Sequence, residues 1–163
     1  MKRFMIATLA LLLAAPAFAA EPKDTPKGMT NSEALQVLAG LRALDGHQVV
    51  LKDQTLSPAI PWVFENGPLR LTIANDVTVL TSVEKSIDEA RQSLIKEALV
   101  GKPPGFELKS GTPEFDAFMK QFTELLDRPA GKDVAHIKAT DLKLDRNEIA
   151  TSVLAALAPI LDK

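Results

Sequence analysis

Residues 67–100 read GPLRLTIANDVTVLTSVEKSIDEARQSLIKEALV, and the architecture turns on whether this stretch is one helix or a strand followed by a helix. Leu69, Ile73, Val77, Leu80, Val83, Ile87, Ala90, Leu94 and Ala98 recur in steps of three or four that average about 3.6 residues, the α-helical period. Leu69-Arg70-Leu71-Thr72-Ile73 taken alone alternates as a strand does, and threonine and valine are frequent up to Thr81. The apolar stripe continues past Lys85 and Arg91 without losing phase, so the spacing predicts a single helix from Pro68 to about Val100. Proline is acceptable at its first position, where the missing N–H would have no partner anyway. Gly101-Lys102-Pro103-Pro104-Gly105 ends it, because two prolines and two glycines cannot continue an i to i−4 ladder.

On the N-terminal side of this spine, Val49-Val50-Leu51 and Trp62-Val63-Phe64 have strand propensity and are expected to pair as a β-hairpin. Pro61 confines the second strand to an edge or to its own beginning. Further back, Thr30-Asn31-Ser32-Glu33 has the spacing of a capping box and is followed by Leu35, Leu38, Leu41 and Leu44, which predicts a helix from about Ser32 to Leu44. Gly46 is placed to end that helix in the left-handed region. On the C-terminal side, Thr112-Pro113 is expected to open a helix whose apolar face is Phe115, Phe118, Met119, Phe122, Leu125 and Leu126, stopped by Arg128-Pro129-Ala130-Gly131. Val134 to Leu144 alternates loosely and offers a short third strand to the hairpin. Asp145-Arg146-Asn147-Glu148 repeats the capping-box spacing before Ile149, Val153, Leu157 and Leu161, with Pro159 expected to fray the last turn. The expected fold class is therefore α+β and predominantly helical. Three or four helices, one of them long and central, pack on a small antiparallel β-hairpin or three-stranded sheet.

The first residues carry an address. Lys2 and Arg3 precede an apolar run from Phe4 to Ala15, Pro16 breaks it, and Ala17-Phe18-Ala19 supplies the small-x-small pattern read by a signal peptidase. This predicts a signal peptide over residues 1–19 with cleavage after Ala19, a flexible leader over 20–29, and one domain over 30–163. The run is shorter than the roughly 20 apolar residues that a membrane span needs, so no stable anchor is expected after cleavage. Cleavage removes Lys2 and Arg3 and leaves 17 basic against 21 acidic residues, a net charge near −4. That balance disfavours a nucleic-acid partner, which calls for a basic patch. The chain has no cysteine, which excludes both a cysteine-linked lipid and structural disulfides in an exported protein, and leaves packing to hold the fold. The expected location is periplasmic or secreted.

Four segments carry a resemblance: Ile137-Lys138-Ala139-Thr140-Asp141-Leu142-Lys143-Leu144, the run Val153 to Leu161, Leu41-Arg42-Ala43-Leu44-Asp45-Gly46, and Ile87 to Glu97. Together they resemble a family of small uncharacterised proteins encoded in bacteriophages and prophages. The resemblance implies no assigned activity and no catalytic residues. The export signal is a departure from that family and argues against an intracellular capsid or tail-assembly role.

Chemical motifs are few. Ser82-Val83-Glu84-Lys85 and Ser93-Leu94-Ile95-Lys96 match the serine-x-x-lysine spacing in which one helical turn brings an amine beside a hydroxyl, and Lys109-Ser110-Gly111 echoes a later element of penicillin-recognising enzymes. The intervening serine-x-asparagine element is missing, and a solvated helix face accounts for both pairs. His47 and His136, with Asp45 or Asp133 nearby, lack the close ligand pairs of a zinc site. Asp141, Asp145 and Glu148 lack the glycine and the alternating oxygen donors of a calcium loop. The Gly101–Gly105 loop has neither the serine or threonine after its lysine nor the flanking strand of a phosphate cradle. No cofactor is expected.

What remains is surface. Val77, Val83 and Ile87 on the long helix, and Trp62 with Phe64 on the edge strand, are the candidate partner surface for another protein or a second copy. The expected function is that of an exported, non-enzymatic accessory protein of phage-like ancestry acting through protein–protein contacts. The alternatives are a periplasmic binding or chaperone-like module with an apolar groove between the long helix and the sheet, and a serine–lysine hydrolase using Ser82 or Ser93.

Overall fold

A computed structural model describes residues 28–46, 49–51, 54–56 and 67–162. The expected signal segment, most of the expected leader, His47 and the stretch with Trp62 and Phe64 lie outside the described residues. Among those described, the chain is mostly helical, with four α-helices and four short strands.

The first helix, α1 (Asn31–Leu44), begins as its capping box dictates: Thr30 Oγ1 accepts from the Glu33 N–H at 3.2 Å and Glu33 Oε2 accepts from the Thr30 N–H at 2.8 Å. Gly46 follows it at φ +83°, the left-handed conformation that glycine adopts without a Cβ penalty. The side chains of Ala34, Val37, Leu38 and Leu41 are fully buried at helical spacing. Each leucine so buried contributes about 1.5–3 kcal/mol of transfer free energy.

Helix α2 (Gly67–Ala98) is the single long helix, 32 residues in one piece. The strand-like alternation at its start does not produce a strand, because Leu69 and Ile73 are buried one turn apart on the same side while Leu71 stands 69% exposed. A strand would have placed all three on one face. Its packing partners are α1 and α3 (Pro113–Leu126), the latter capped by Thr112 Oγ1 accepting from the Phe115 N–H at 3.3 Å. The end of α3 is tied to the start of α1 by Asn31 N–H to Arg128 O (2.8 Å) and Ala130 N–H to Met29 O (2.9 Å).

Strand β1 (Val49–Leu51) pairs antiparallel with β2 (Gln54–Leu56), so its described partner is not Trp62–Phe64. This ribbon lies mainly against α1 and then α4, so the long helix is not the element that supports it. The expected third strand also joins elsewhere. Ile137–Lys138 (β3) pairs in parallel with Leu161–Asp162 (β4), the last residues described, and forms a separate two-stranded sheet. Ile137 is almost fully buried, and this burial places β3 in the core rather than beside the ribbon.

The second capping-box spacing does not cap a helix. Helix α4 (Thr151–Leu157) starts after Ala150, without a side-chain cap. A 3₁₀ helix (Ala139–Leu142) ends at Lys143, which takes φ +50°, and the N–H groups of Arg146 and Asn147 both return to the Lys143 carbonyl at 2.8 and 2.9 Å. Asn147, only 7% exposed, donates through Nδ2 to the Leu142 carbonyl at 2.8 Å. Its side chain therefore closes the preceding turn, and Asp145 and Glu148 stay at the surface. At Pro159 the α-helix tightens into a 3₁₀ turn (Ala158–Ile160), as the missing N–H requires.

The core gathers Leu38 and Leu41 of α1, Leu80 of α2, Ile137, Leu142, and Leu157 and Ile160 near the C-terminal end. α1 packs tightly on α4 at Gly40, where an added Cβ would lie 3.0 Å from two carbons of Leu157. No helix among the described residues is long and apolar enough to cross a membrane.

Candidate functional site

The serine–lysine pairs lie on exposed turns of α2. Ser82 Oγ donates to the Val79 carbonyl (2.6 Å) and Ser93 Oγ donates to the Glu89 carbonyl (3.0 Å), while Lys85 reaches Glu89 at 4.0 Å. Each hydroxyl is bonded to its own helix backbone rather than to the amine three positions along. Lys109-Ser110-Gly111 lies in the turn before α3, where the Lys109 carbonyl accepts from Thr112 Oγ1. His136 Nδ1 stands 2.9 Å from Asp162 Oδ1 at the surface, so its partner is neither Asp133 nor another histidine. Among the described residues no three metal-binding side chains come together, Asp141, Asp145 and Glu148 included. In the Gly101–Gly105 loop, Lys102 pairs with Glu114 of α3 and lies over the Phe106 ring, which anchors the turn.

The candidate partner surface divides. Val83 and Ile87 are each 5% exposed and belong to the core, covered by the elements packed on α2, and Val77 is half-buried against that core. Trp62 and Phe64 lie outside the described residues.

Two features that the sequence did not mark as candidate sites are present. The outer half of α2 and the first turns of α3 form an arm beyond the main core. Leu94, Ile95, Phe115, Phe118 and Met119 are all half-buried there, and none belongs to the core cluster. The rings of Phe118 and Phe122 stack with centroids 5.8 Å apart and planes 6° from parallel, and Phe115 tilts against Phe118 at 6.3 Å. The α3 periodicity identified this face correctly; its incomplete covering depends on how few elements reach that end of α2.

The second feature is a small open cleft of about 130 Å³ where α1, α2, α3 and the connector after α3 meet. Its floor is apolar, from Val83, Ile87, Leu125 and Ala130. Its polar lining is Asn31 at the first turn of α1, Ser82 and Ser86 on successive turns of α2, and Lys132 on the connector. Asn31 is 9% exposed and its Nδ2 donates to the Leu125 carbonyl at 2.8 Å. Ser86 Oγ donates to the Ser82 carbonyl at 3.0 Å. The lone pairs of both serine hydroxyls, and Oδ1 of Asn31, are thereby left as acceptors.

Farther along the same connector, Asp76 is held at 5% exposure on α2. Its Oδ1 accepts from the Ala135 N–H at 3.2 Å, and Oδ2 is buried with no partner. Burial pushes this carboxyl above the ordinary aspartate range, opposed by the Ala135 hydrogen bond. The signal for this residue was present in the spacing: Asp76 falls three residues after Ile73 and four before Leu80, on the stripe where Val77 was expected.

Comparison with protein-family models, with curated proteins and with solved structures finds no match to this chain.

Proposed function

We propose that this is an exported, non-enzymatic accessory protein that acts by protein–protein contacts, and that the arm formed by α2 and α3 is the contact element. The observation that carries this reading is the row Phe115, Phe118 and Phe122, an aromatic ladder half open to solvent that runs out along α3 from Phe122, which packs on the core, to Phe115 and Phe118, which do not belong to it. Aromatic side chains are the usual anchors of interfaces because they bury large area at small entropic cost. Half-buried rings gain most from a further apolar surface laid across them. Export rests on Lys2-Arg3, the apolar run and the Ala17-Phe18-Ala19 box. A phage-like ancestry rests on the resemblance of the four segments quoted above.

The test is site-specific photocrosslinking from position 118 in the producing cell, with intact-mass analysis of the exported pool. The reading expects a discrete adduct, either with one other polypeptide or with a second copy, that disappears when Phe115 and Phe122 are changed to serine. It also expects a mature mass beginning at Ala20. Absence of any adduct overturns the contact role, and a mass that includes Met1 overturns the cleavage.

A further inference from the structure

We propose that the cleft between Asn31, Ser82, Ser86 and Lys132 is a binding site for an α-carboxylate flanked by an N–H donor and a small apolar side chain: the end of a peptide chain or a free aliphatic amino acid. The inference is independent of the arm, which lies on other residues.

Size comes first. At about 130 Å³ the cleft is well below the roughly 300–1,000 Å³ of sites for nucleotides or cofactors, and it holds the volume of about four waters. One aliphatic residue fits inside it, and the rest of a longer ligand would extend through the open side. Charge comes next. Lys132 is the single ionisable residue lining the cleft, no carboxylate lines it, and among the described residues Lys132 has no ion-pair partner. A metal cation is therefore disfavoured and an anionic group is favoured.

The remaining polar groups identify what accompanies the anion. Ser82 and Ser86 spend their protons on the α2 backbone, and Asn31, nine-tenths buried, spends one of its two amide N–H groups on Leu125. The two serine hydroxyls present acceptors and Asn31 presents Oδ1 with a second N–H, which suits a ligand that carries an N–H group beside its carboxylate. The floor of Val83, Ile87, Leu125 and Ala130 takes the aliphatic side chain. Cation, acceptors and apolar floor together describe a terminal valine or alanine residue, with the carboxylate on Lys132 and the amide N–H toward the serines.

The test is a chemical-shift titration of the isotope-labelled protein with N-acetylvaline, free valine and N-acetylvalinamide. N-acetylvaline is expected to give saturable shifts in the millimolar range at the amides of Ser82, Ser86 and Lys132. N-acetylvalinamide, which lacks the carboxylate, is expected to bind about tenfold more weakly. Lys132→Gln, a change on the surface that leaves the core alone, is expected to weaken N-acetylvaline about tenfold and to leave N-acetylvalinamide unchanged. Equal binding of free valine assigns the site to the amino acid, and preference for the acetylated form assigns it to a peptide end. Shifts that fail to saturate, or an affinity for N-acetylvaline indifferent to Lys132→Gln, overturn the proposal.

Discussion

Arg42 of α1 and Glu84 of α2 form a two-pronged ion pair, with Nη1 to Oε1 at 3.0 Å and Nη2 to Oε2 at 2.7 Å. Nη2 also donates to Thr81 Oγ1 at 3.3 Å, one turn back on α2. The pair sets the rotational register of the long helix against α1 at the height of Leu80 and Val83. The hydrogen bonds that Glu84 accepts raise the Arg42 pKa further above its ordinary value, so the guanidinium stays charged throughout the working range.

Arg42→Lys keeps the charge and loses the fork. Both side chains are about one-third exposed, so solvent screens the pair and the expected loss is only about 0.5–1 kcal/mol. Urea unfolding at low and high salt checks this. The difference between wild type and variant should shrink as salt rises, and a loss above about 2 kcal/mol would mean that the pair is more than a surface clamp.

Gly40 predicts a coupled pair. In Gly40→Ala the new Cβ meets Leu157 Cγ and Cδ2 at 3.0 Å and Ala156 Cβ at 3.3 Å, and Leu157 is fully buried and cannot withdraw. Overpacking of about 1–3 kcal/mol outweighs a helix-propensity gain of about 1 kcal/mol, so the variant should be less stable. In a Leu157→Ala background the two 3.0 Å contacts are gone and only the looser one to Ala156 Cβ at 3.3 Å remains, so Gly40→Ala should stabilise. A double-mutant cycle measures the change of sign, and additive effects would contradict the close approach.

Asn147→Ala removes the donor that satisfies the Leu142 carbonyl and should cost about 1–3 kcal/mol. Glu148→Ala, at the exposed position where a capping box was expected, should cost less than about 0.5 kcal/mol. Thermal unfolding of the two variants distinguishes the observed turn from the expected cap, and the reverse ranking would refute the turn.

Asp76 predicts the sign of one contribution to pH dependence. Burial raises its folded pKa above the ordinary 3.8, so the folded protein holds this proton more tightly than the unfolded chain does. The stabilisation is complete below the ordinary value and is lost as pH rises through the folded value. Asp76→Asn removes the titration, so the stability of wild type relative to the variant should fall as pH rises across that window. A difference that stays constant with pH would show that the carboxyl titrates normally.

Local spacing announced most of the helices because their signals are short-range. The Thr30/Glu33 box, Pro68, Thr112-Pro113 and the stripe from Leu69 onward each act within a turn or two, and α1, α2 and α3 begin within about one residue of where those signals lie. The Asp145–Glu148 box failed for a reason that spacing cannot reveal. Asn147 had a better use for its side chain in closing the Leu142 turn, and that carbonyl exists only once the 3₁₀ helix has formed.

The sequence by itself determined that this chain is a mostly helical domain with a long spine and no disulfide, since helical period and cysteine content are properties of the chain alone. Tertiary structure decided everything that depends on distant residues becoming neighbours. It buried Val83 and Ile87, paired β3 with β4 across the molecule, placed Asp76 under the connector, and left the phenylalanines of α3 half uncovered. The physical reason is that periodicity fixes which face of an element is apolar, whereas the fraction of that face shielded from water depends on which other elements reach it.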